Sequence, residues 1–191
     1  EILRCLVGSE MCIRDRNYSD GGGSMKVLGL DSSGLVAGVA LIQDDVLIAE
    51  YTTNYKKTHS QTLLPMLDEI SNMTELDLST IDAIAVAGGP GSFTGLRIGS
   101  ATAKGLGLAL EKPLISIPTT AAIAYNIWDT NKFVCPIMDA RRNQVYTGIY
   151  EFCDGKLQIL ENQMAVSVTE IAEDALYFPR EASSVSTLVN C

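Results

Sequence analysis

The sequence predicts an α/β fold in which helices flank a mixed β-sheet, and two patterns support this class. Three short apolar segments early in the chain are joined by tight turns, as in an antiparallel meander. Later apolar runs are continuous and alternate with helical patterns, as in parallel strands that are buried on both faces. The chain has 191 residues, of which 47% are hydrophobic and 19% charged, enough for a sizeable core.

The meander comprises three predicted strands, which span residues 26–31, 35–43 and 46–53. A helix is expected next, over residues 59–73, because apolar residues recur there every three or four positions. Ser60 is a suitable N-cap for this helix. Pro65 lies near the first turn, where a missing backbone N–H is tolerated.

The later elements alternate between strands and helices. A strand at 81–87 leads through a glycine-rich segment into a helix that ends near Leu110. The remaining elements are a strand at 113–118, a helix from Thr119 or Thr120 to Trp128, a strand at 133–139, a hairpin at 144–152 and 156–160, and a helix at 168–175. The order β-β-β-α-β-α-β-α-β-β-β begins with the ribonuclease-H-like layout, which is also the building block of actin-like ATPase domains.

The sequence predicts that the chain divides into three segments. Residues 1–24 lack periodicity and end in a Gly-Gly-Gly-Ser tract, so we expect a non-native leader before a natural start at Met25, or else a genuine disordered extension. Residues 25–112 are expected to form an N-terminal ribonuclease-H-like lobe. Residues 113–191 are expected to form a partial second lobe, and the last of them, 177–191, show no clear pattern.

Charge and composition exclude several classes of protein. The net charge of −9 argues against a chain that grips nucleic acid by itself, because phosphate contacts rely on Lys and Arg. A single histidine cannot supply a multi-histidine metal site. Five cysteines without metal-site or disulfide spacing indicate reduced thiols and a cytoplasmic protein. No apolar run reaches the ~18–20 residues of a membrane-spanning helix.

The glycine-rich segment admits two interpretations. A glycine loop between a strand and a helix N-terminus can bind an anion, although neither the Walker A nor the dinucleotide pattern is present. The residues of this candidate phosphate or partner loop are Gly88, Gly89, Gly91, Ser92, Thr94, Gly95 and Arg97. Alternatively, small residues repeat every four positions so that the helix can pack closely; they are Gly95, Gly99, Ala103 and Gly107. The two interpretations are compatible.

Two aspartates form a candidate vestigial acid site. Asp31 ends the first strand, where actin-like kinases and ATPases place a metal-linked acid, but a turn before Gly34 explains it equally well. Asp139 ends a later strand and is expected either to pair with Asp31 across a cleft or to interact with Arg141 or Arg142.

Four segments of the sequence resemble the TsaB (YeaZ) family. They are MKVLGLDSSG, THSQTLLPML, AVAGGPGSFTGLRIGSATAKGLGLAL and CPIMDARRNQVYTGIY, and the resemblance covers about residues 25–171. It implies an actin-like ATPase fold and a cytoplasmic, non-catalytic subunit. Such a subunit dimerises with TsaD, which transfers threonylcarbamoyl to adenosine 37 of tRNA with the support of the ATPase TsaE. TsaD carries a metal-binding histidine pair that this chain, with one histidine, cannot form.

The resemblance also implies that the helix at 59–73 is the partner surface and that the chain forms homodimers when alone. The residues assigned to this surface are His59, Leu63, Leu64, Met66, Leu67, Ile70 and Met73. We expect Leu63, Leu67 and Ile70 to meet the sheet, and Leu64, Met66 and Met73 to meet a partner helix.

Several expectations concern the complex and its alternatives. The chain contacts tRNA only through the complex and binds no membrane. No cofactor is assigned to it, and ATP or ADP at the partner interface stays open. Family members usually continue for several tens of residues further, which predicts a truncated second lobe. The alternatives are a self-sufficient ATPase or phosphotransferase that uses Asp31 and Asp139 with Mg²⁺, or a metallopeptidase-like protein.

Overall fold

The computed structural model describes residues 24–55, 58–128 and 130–171. The described residues form two compact units that divide after Thr119. The predicted leader up to residue 23 and the predicted tail at 177–191 lie outside the described residues.

A five-stranded mixed sheet forms the first unit, with the strand order β3-β2-β1-β4-β5. The first three strands pair antiparallel, whereas β4 is parallel to both β1 and β5. The strands are β1 (Lys26–Asp31), β2 (Ala37–Gln43), β3 (Val46–Thr53), β4 (Ala83–Gly89) and β5 (Leu114–Pro118). The predicted α/β class with its ribonuclease-H-like start is therefore confirmed.

Two helices, α1 (His59–Thr74) and α2 (Phe93–Leu110), pack against one face of this sheet and against each other. Alternate strand residues point to the helices, as the two-residue period of a strand requires. The core that they form includes Leu28, Leu30, Val39, Leu41, Ile84 and Val86 from the strands, Leu63, Met66, Leu67 and Ile70 from α1, and Ala103 from α2.

The ends of α1 differ slightly from the prediction. Thr58 is its N-cap residue, without a side-chain cap bond, so the expected cap Ser60 lies within the first turn. Pro65 lies inside the helix. At the other end, Glu75 adopts a left-handed conformation and donates its backbone N–H to the carbonyl of Ser71, which satisfies one of the last free carbonyls.

The second unit contains a three-stranded antiparallel sheet with the order β6-β7-β8. It also contains most of α3 and a following 3₁₀ turn at Tyr125–Ile127. The named elements are α3 (Thr119–Ala124), β6 (Met138–Arg141), β7 (Gln144–Cys153) and β8 (Lys156–Ser167). Within this unit the buried Tyr150 hydroxyl lies 2.6 Å from that of Thr120, and the rings of Tyr125 and Phe152 meet edge to face.

Three predictions about the later elements need correction. The strand at 113–118 was expected in the second lobe, but β5 pairs with β4 and extends the first sheet. The strand expected at 133–139 is reduced to β6 and an isolated bridge between Val134 and Tyr150, because Pro136 has no N–H for a continuous ladder. The second hairpin strand, β8, ends at Ser167, whereas the prediction ended it at residue 160. Residues 168–171 are helical, and the rest of that predicted helix is outside the described residues.

No helix among the described residues is long and apolar enough to cross a membrane.

Shortening a side chain to alanine should affect stability differently on the buried and the exposed sides of α1. Met66 is 4% exposed, and we expect Met66→Ala to lower the free energy of unfolding by ~2–5 kcal/mol through the cavity it leaves. Leu64 is 53% exposed, so Leu64→Ala should change the free energy of unfolding by less than ~0.5 kcal/mol. Urea unfolding of both variants measures the difference. Equal losses would contradict this orientation of the helix.

Candidate functional site

The two predicted acids take part in local turns. The Oδ1 atom of Asp31 accepts the backbone N–H of Ser33 at 2.8 Å, as the turn interpretation requires. The Oδ1 atom of Asp139 accepts the N–H of Arg141 at 2.7 Å in the same way. The two aspartates belong to different compact units, and a carboxylate pair between them stays a prediction.

The turn after β1 joins the start of α2 through direct hydrogen bonds. Ser32 donates its hydroxyl to the carbonyl of Gly95 at 2.9 Å, and the carbonyl of Ser33 accepts the N–H of Ser92 at 2.7 Å. Ser92 is also the N-cap of α2, since its hydroxyl accepts the N–H of Gly95 at 3.3 Å. We call the contact of Ser32 and Ser33 with Gly91, Ser92, Gly95 and Gly99 the serine–glycine junction.

Three glycines of α2 and its preceding turn are required by the serine–glycine junction. A Cβ atom on Gly91 would overlap the carbonyl oxygen of Ser33, and one on Gly95 would overlap that of Ser32. A Cβ atom on Gly99 would overlap the Ser32 hydroxyl. These contacts confirm the prediction that the small residues serve close packing.

The rest of the small-residue stripe also faces the protein. Ala103 and Gly107 are buried, and a Cβ atom on Gly107 would lie 2.8 Å from Cδ2 of Leu114 in β5. Gly95, Gly99, Ala103 and Gly107 therefore form one buried face of α2. This face explains why a helix with several glycines is stable, because each glycine permits an approach that a side chain would prevent.

The residues of the predicted phosphate loop do not all lie together in the serine–glycine junction. Gly91, Ser92 and Gly95 contact Ser32 and Ser33, whose oxygen atoms lie against the first turn of α2. Acceptors from the chain itself thus occupy positions near the helix N-terminus that an anion would otherwise use. Binding of phosphate here stays a prediction.

The other predicted loop residues flank the serine–glycine junction. Gly88 packs beside Ser116 of β5, and Gly89 has a φ of +106°, which glycine adopts without strain. Thr94 is exposed. Arg97 is also exposed and lies over the ring of Phe93 at 5.2 Å.

His59 has a structural contact that its sequence position did not reveal. Its Nε2 atom lies 2.9 Å from the carbonyl oxygen of Gly34. Because a carbonyl can only accept, Nε2 carries the proton and donates it. The ring also lies beside Gly95, so this half-buried histidine connects the start of α1 to the turn after β1 and to the start of α2.

The surface of α1 is only partly as predicted. Leu63, Leu67 and Ile70 are buried against the sheet, as expected. Met66 was expected to face a partner, but it is buried in the same core because it continues the i, i+3, i+4, i+7 pattern of the buried residues. Leu64 is exposed, and Met73 is 82% exposed.

The described cysteines, Cys135 and Cys153, have free thiols. Burial raises the pKa of the Cys135 thiol. Desolvation raises the pKa of the Cys153 thiol, and the neighbouring acids Glu151 and Asp154 add to the effect. Both thiols are therefore protonated and weakly nucleophilic at neutral pH. Within the described ranges, no group of three His, Cys, Asp or Glu side chains is placed to hold a metal ion.

Comparison with known proteins shows one family. The family model described as "TsaD: tRNA N6-adenosine threonylcarbamoyltransferase" matches residues 46–184. The Bacillus subtilis tRNA threonylcarbamoyladenosine biosynthesis protein TsaB is 39% identical over 134 residues, which are 70% of this chain and 58% of that protein. The Escherichia coli protein of the same name is 33% identical over 154 residues, 80% of this chain and 66% of that protein.

Solved structures show the same similarity. The structure called YeaZ from Pseudomonas aeruginosa superimposes with a TM-score of 0.66 at 30% identity, covering 74% of this chain and 66% of that one. A second structure from that organism, an uncharacterized protein with similarity to peptidase YEAZ, gives a TM-score of 0.68 at 30% identity, covering 75% and 67%. The chain thus spans 58% and 66% of the length of the two TsaB relatives.

The serine–glycine junction makes a prediction about stability. Gly95→Ala places a methyl group against the Ser32 carbonyl, so we expect a loss of ~1–3 kcal/mol in the free energy of unfolding. Gly34→Ala is the matched control, because its added Cβ would meet, among the residues described, only the backbone N of Val36, at 3.9 Å. It should change stability by less than ~1 kcal/mol. Denaturant unfolding compares the two, and a Gly95→Ala variant as stable as the control would refute the tight contact.

Proposed function

Because this chain belongs to the TsaD family, among the members named TsaB or YeaZ, we propose that it is a non-catalytic subunit that pairs with the TsaD protein. The pair, with TsaE, supports threonylcarbamoyl transfer to adenosine 37 of tRNA. The names of the curated relatives, which are tRNA threonylcarbamoyladenosine biosynthesis proteins, support this pathway. Because the chain spans only part of these relatives, its activity and partners are proposals.

The exposed apolar side chains of α1 carry the proposal. Leu64 and Met73 are exposed on the two flanks of α1, on either side of the residues that pack in the core. Large apolar side chains on an exposed helix face are typical of a surface that receives another helix. Of the residues predicted for this surface, Leu64 and Met73 can touch a partner directly. Leu63, Met66, Leu67 and Ile70 instead hold the helix on the sheet, and His59 fixes its first turn.

The chemistry of the chain favours a supporting role over catalysis. One histidine is too few for the metal-binding pair that the family resemblance assigns to TsaD. The carboxylates of Asp31 and Asp139 accept backbone N–H groups in turns. A net charge of −9 favours tRNA contact through the partner. We place the complex in the cytoplasm. Two further points stay predictions: that ATP or ADP binds at the partner interface, and that the free chain forms a homodimer.

A double variant tests the pairing surface. Leu64→Glu combined with Met73→Glu introduces one charge at each of two exposed positions of α1 and leaves the core untouched. We expect far-ultraviolet circular dichroism and the unfolding midpoint to stay close to those of the wild type. Co-purification with the TsaD protein of the same organism should be lost, because unpaired carboxylates would be buried in the interface.

The control for this experiment is Val46→Glu on β3, a residue that is 59% exposed and lies outside the predicted surface. It should leave pairing intact. A wild-type chain that is folded but never associates with TsaD would overturn the proposed function. Pairing that survives the double variant would show that another surface is used.

A further inference from the structure

One glycine of α2 is not explained by packing against the described residues. Gly95, Gly99 and Gly107 each lie where a Cβ atom would collide with a neighbour. Gly105 is exposed, and a Cβ atom there would meet no atom of the described residues within 4 Å. Glycine in the middle of a helix is less favourable than alanine because it loses more backbone entropy on folding. Gly105 therefore weakens α2, and no packing contact in the described part of the chain offsets this cost.

The surroundings of Gly105 form an exposed apolar and basic face. Ala101, one turn earlier, is also exposed, and Leu108, less than one turn later, is 83% exposed. Arg97 and Lys104 are exposed on the same helix, whose 18 residues include no Asp or Glu. The small residues leave the α2 backbone open to a second helix, and the two cations favour one that carries carboxylates.

The neighbouring helix α1 has the opposite charge. Its exposed residues include Asp68 and Glu69, and it contains neither Lys nor Arg. Because α1 and α2 pack against one sheet face and against each other, the exposed surface of the first unit carries acidic residues from α1 and basic residues from α2. Leu64, Met73 and Leu108 add exposed apolar side chains to the same two helices. A partner with complementary charges is thereby selected in orientation as well as in position.

We infer that Gly105 is the position at which a helix of the partner subunit makes its closest approach to α2, and that this helix carries carboxylates beside apolar side chains. The inference rests on the proposed pairing with TsaD and adds to it a residue that sets the distance between the two helices. A methyl group at position 105 would lie between the helices and separate them.

The decisive variant is Gly105→Ala, because stability and pairing should change in opposite directions. Alanine improves the helix, so the unfolding midpoint of the free chain should rise by ~2–4 °C. Overpacking at the contact should weaken binding to TsaD by about 5- to 100-fold. Gly107→Ala, two residues later on the buried face, should instead lower the unfolding midpoint. Differential scanning fluorimetry and titration of labelled TsaD measure the two quantities.

A second pair of variants tests the charge of the partner helix. Lys104→Glu should weaken TsaD binding and reduce its sensitivity to salt. The control Lys156→Glu reverses a charge on an exposed residue of the β7–β8 hairpin and should have no effect.

The outcomes separate the two proposals. A wild-type chain that does not bind TsaD overturns both. If the wild type binds and Gly105→Ala binds equally well, only the role of Gly105 is overturned. The same holds if Gly105→Ala impairs self-association alone and leaves TsaD binding unchanged, since the occupant would then be a second copy of the chain.

Discussion

The close approach of Ser32–Ser33 to α2 is the contact on which the described structure of the first unit depends. Two backbone carbonyls and one hydroxyl lie where the side chains of Gly91, Gly95 and Gly99 would otherwise be. This contact fixes the height of α2 above β1 and β4. His59 extends it to α1 through its hydrogen bond to Gly34. Both helices are therefore placed relative to the end of the same strand.

Because both helices are held against the same sheet face, the sides of α1 and α2 that face away from the sheet are both exposed to solvent. The inner sides are committed to the core, and this leaves α1 with exposed apolar and acidic residues and α2 with exposed apolar and basic residues. Such a surface is more specific than an apolar patch alone, since charges of the wrong sign would be penalised on contact. The proposed pairing depends on this charged and apolar surface. The serine–glycine junction contributes indirectly, because it positions the helix α2 that carries part of the surface.

Local patterns in the sequence predicted most of the fold. The bounds of β1 and β3 are those expected from apolar runs and turns, and the order of helices and strands is confirmed. The orientation of Met66 was missed because its neighbours Leu63, Leu64 and Leu67 are all apolar, so that the helix period alone allowed two assignments. Sheet membership of β5 was missed because an apolar strand pattern does not specify its neighbour.

The sequence by itself determined the class of fold, the spacing of the small residues along α2, and the family. These depend on residue type and on positions near one another in the chain. Only the tertiary structure decided which atoms fill the glycine positions, because Ser32 and Gly95 are 63 residues apart and meet only when the parallel pairing of β1 and β4 is complete. For the same reason only the structure distinguished Gly105 from the glycines that packing requires: its exposure is a property of the folded surface, not of the helix sequence.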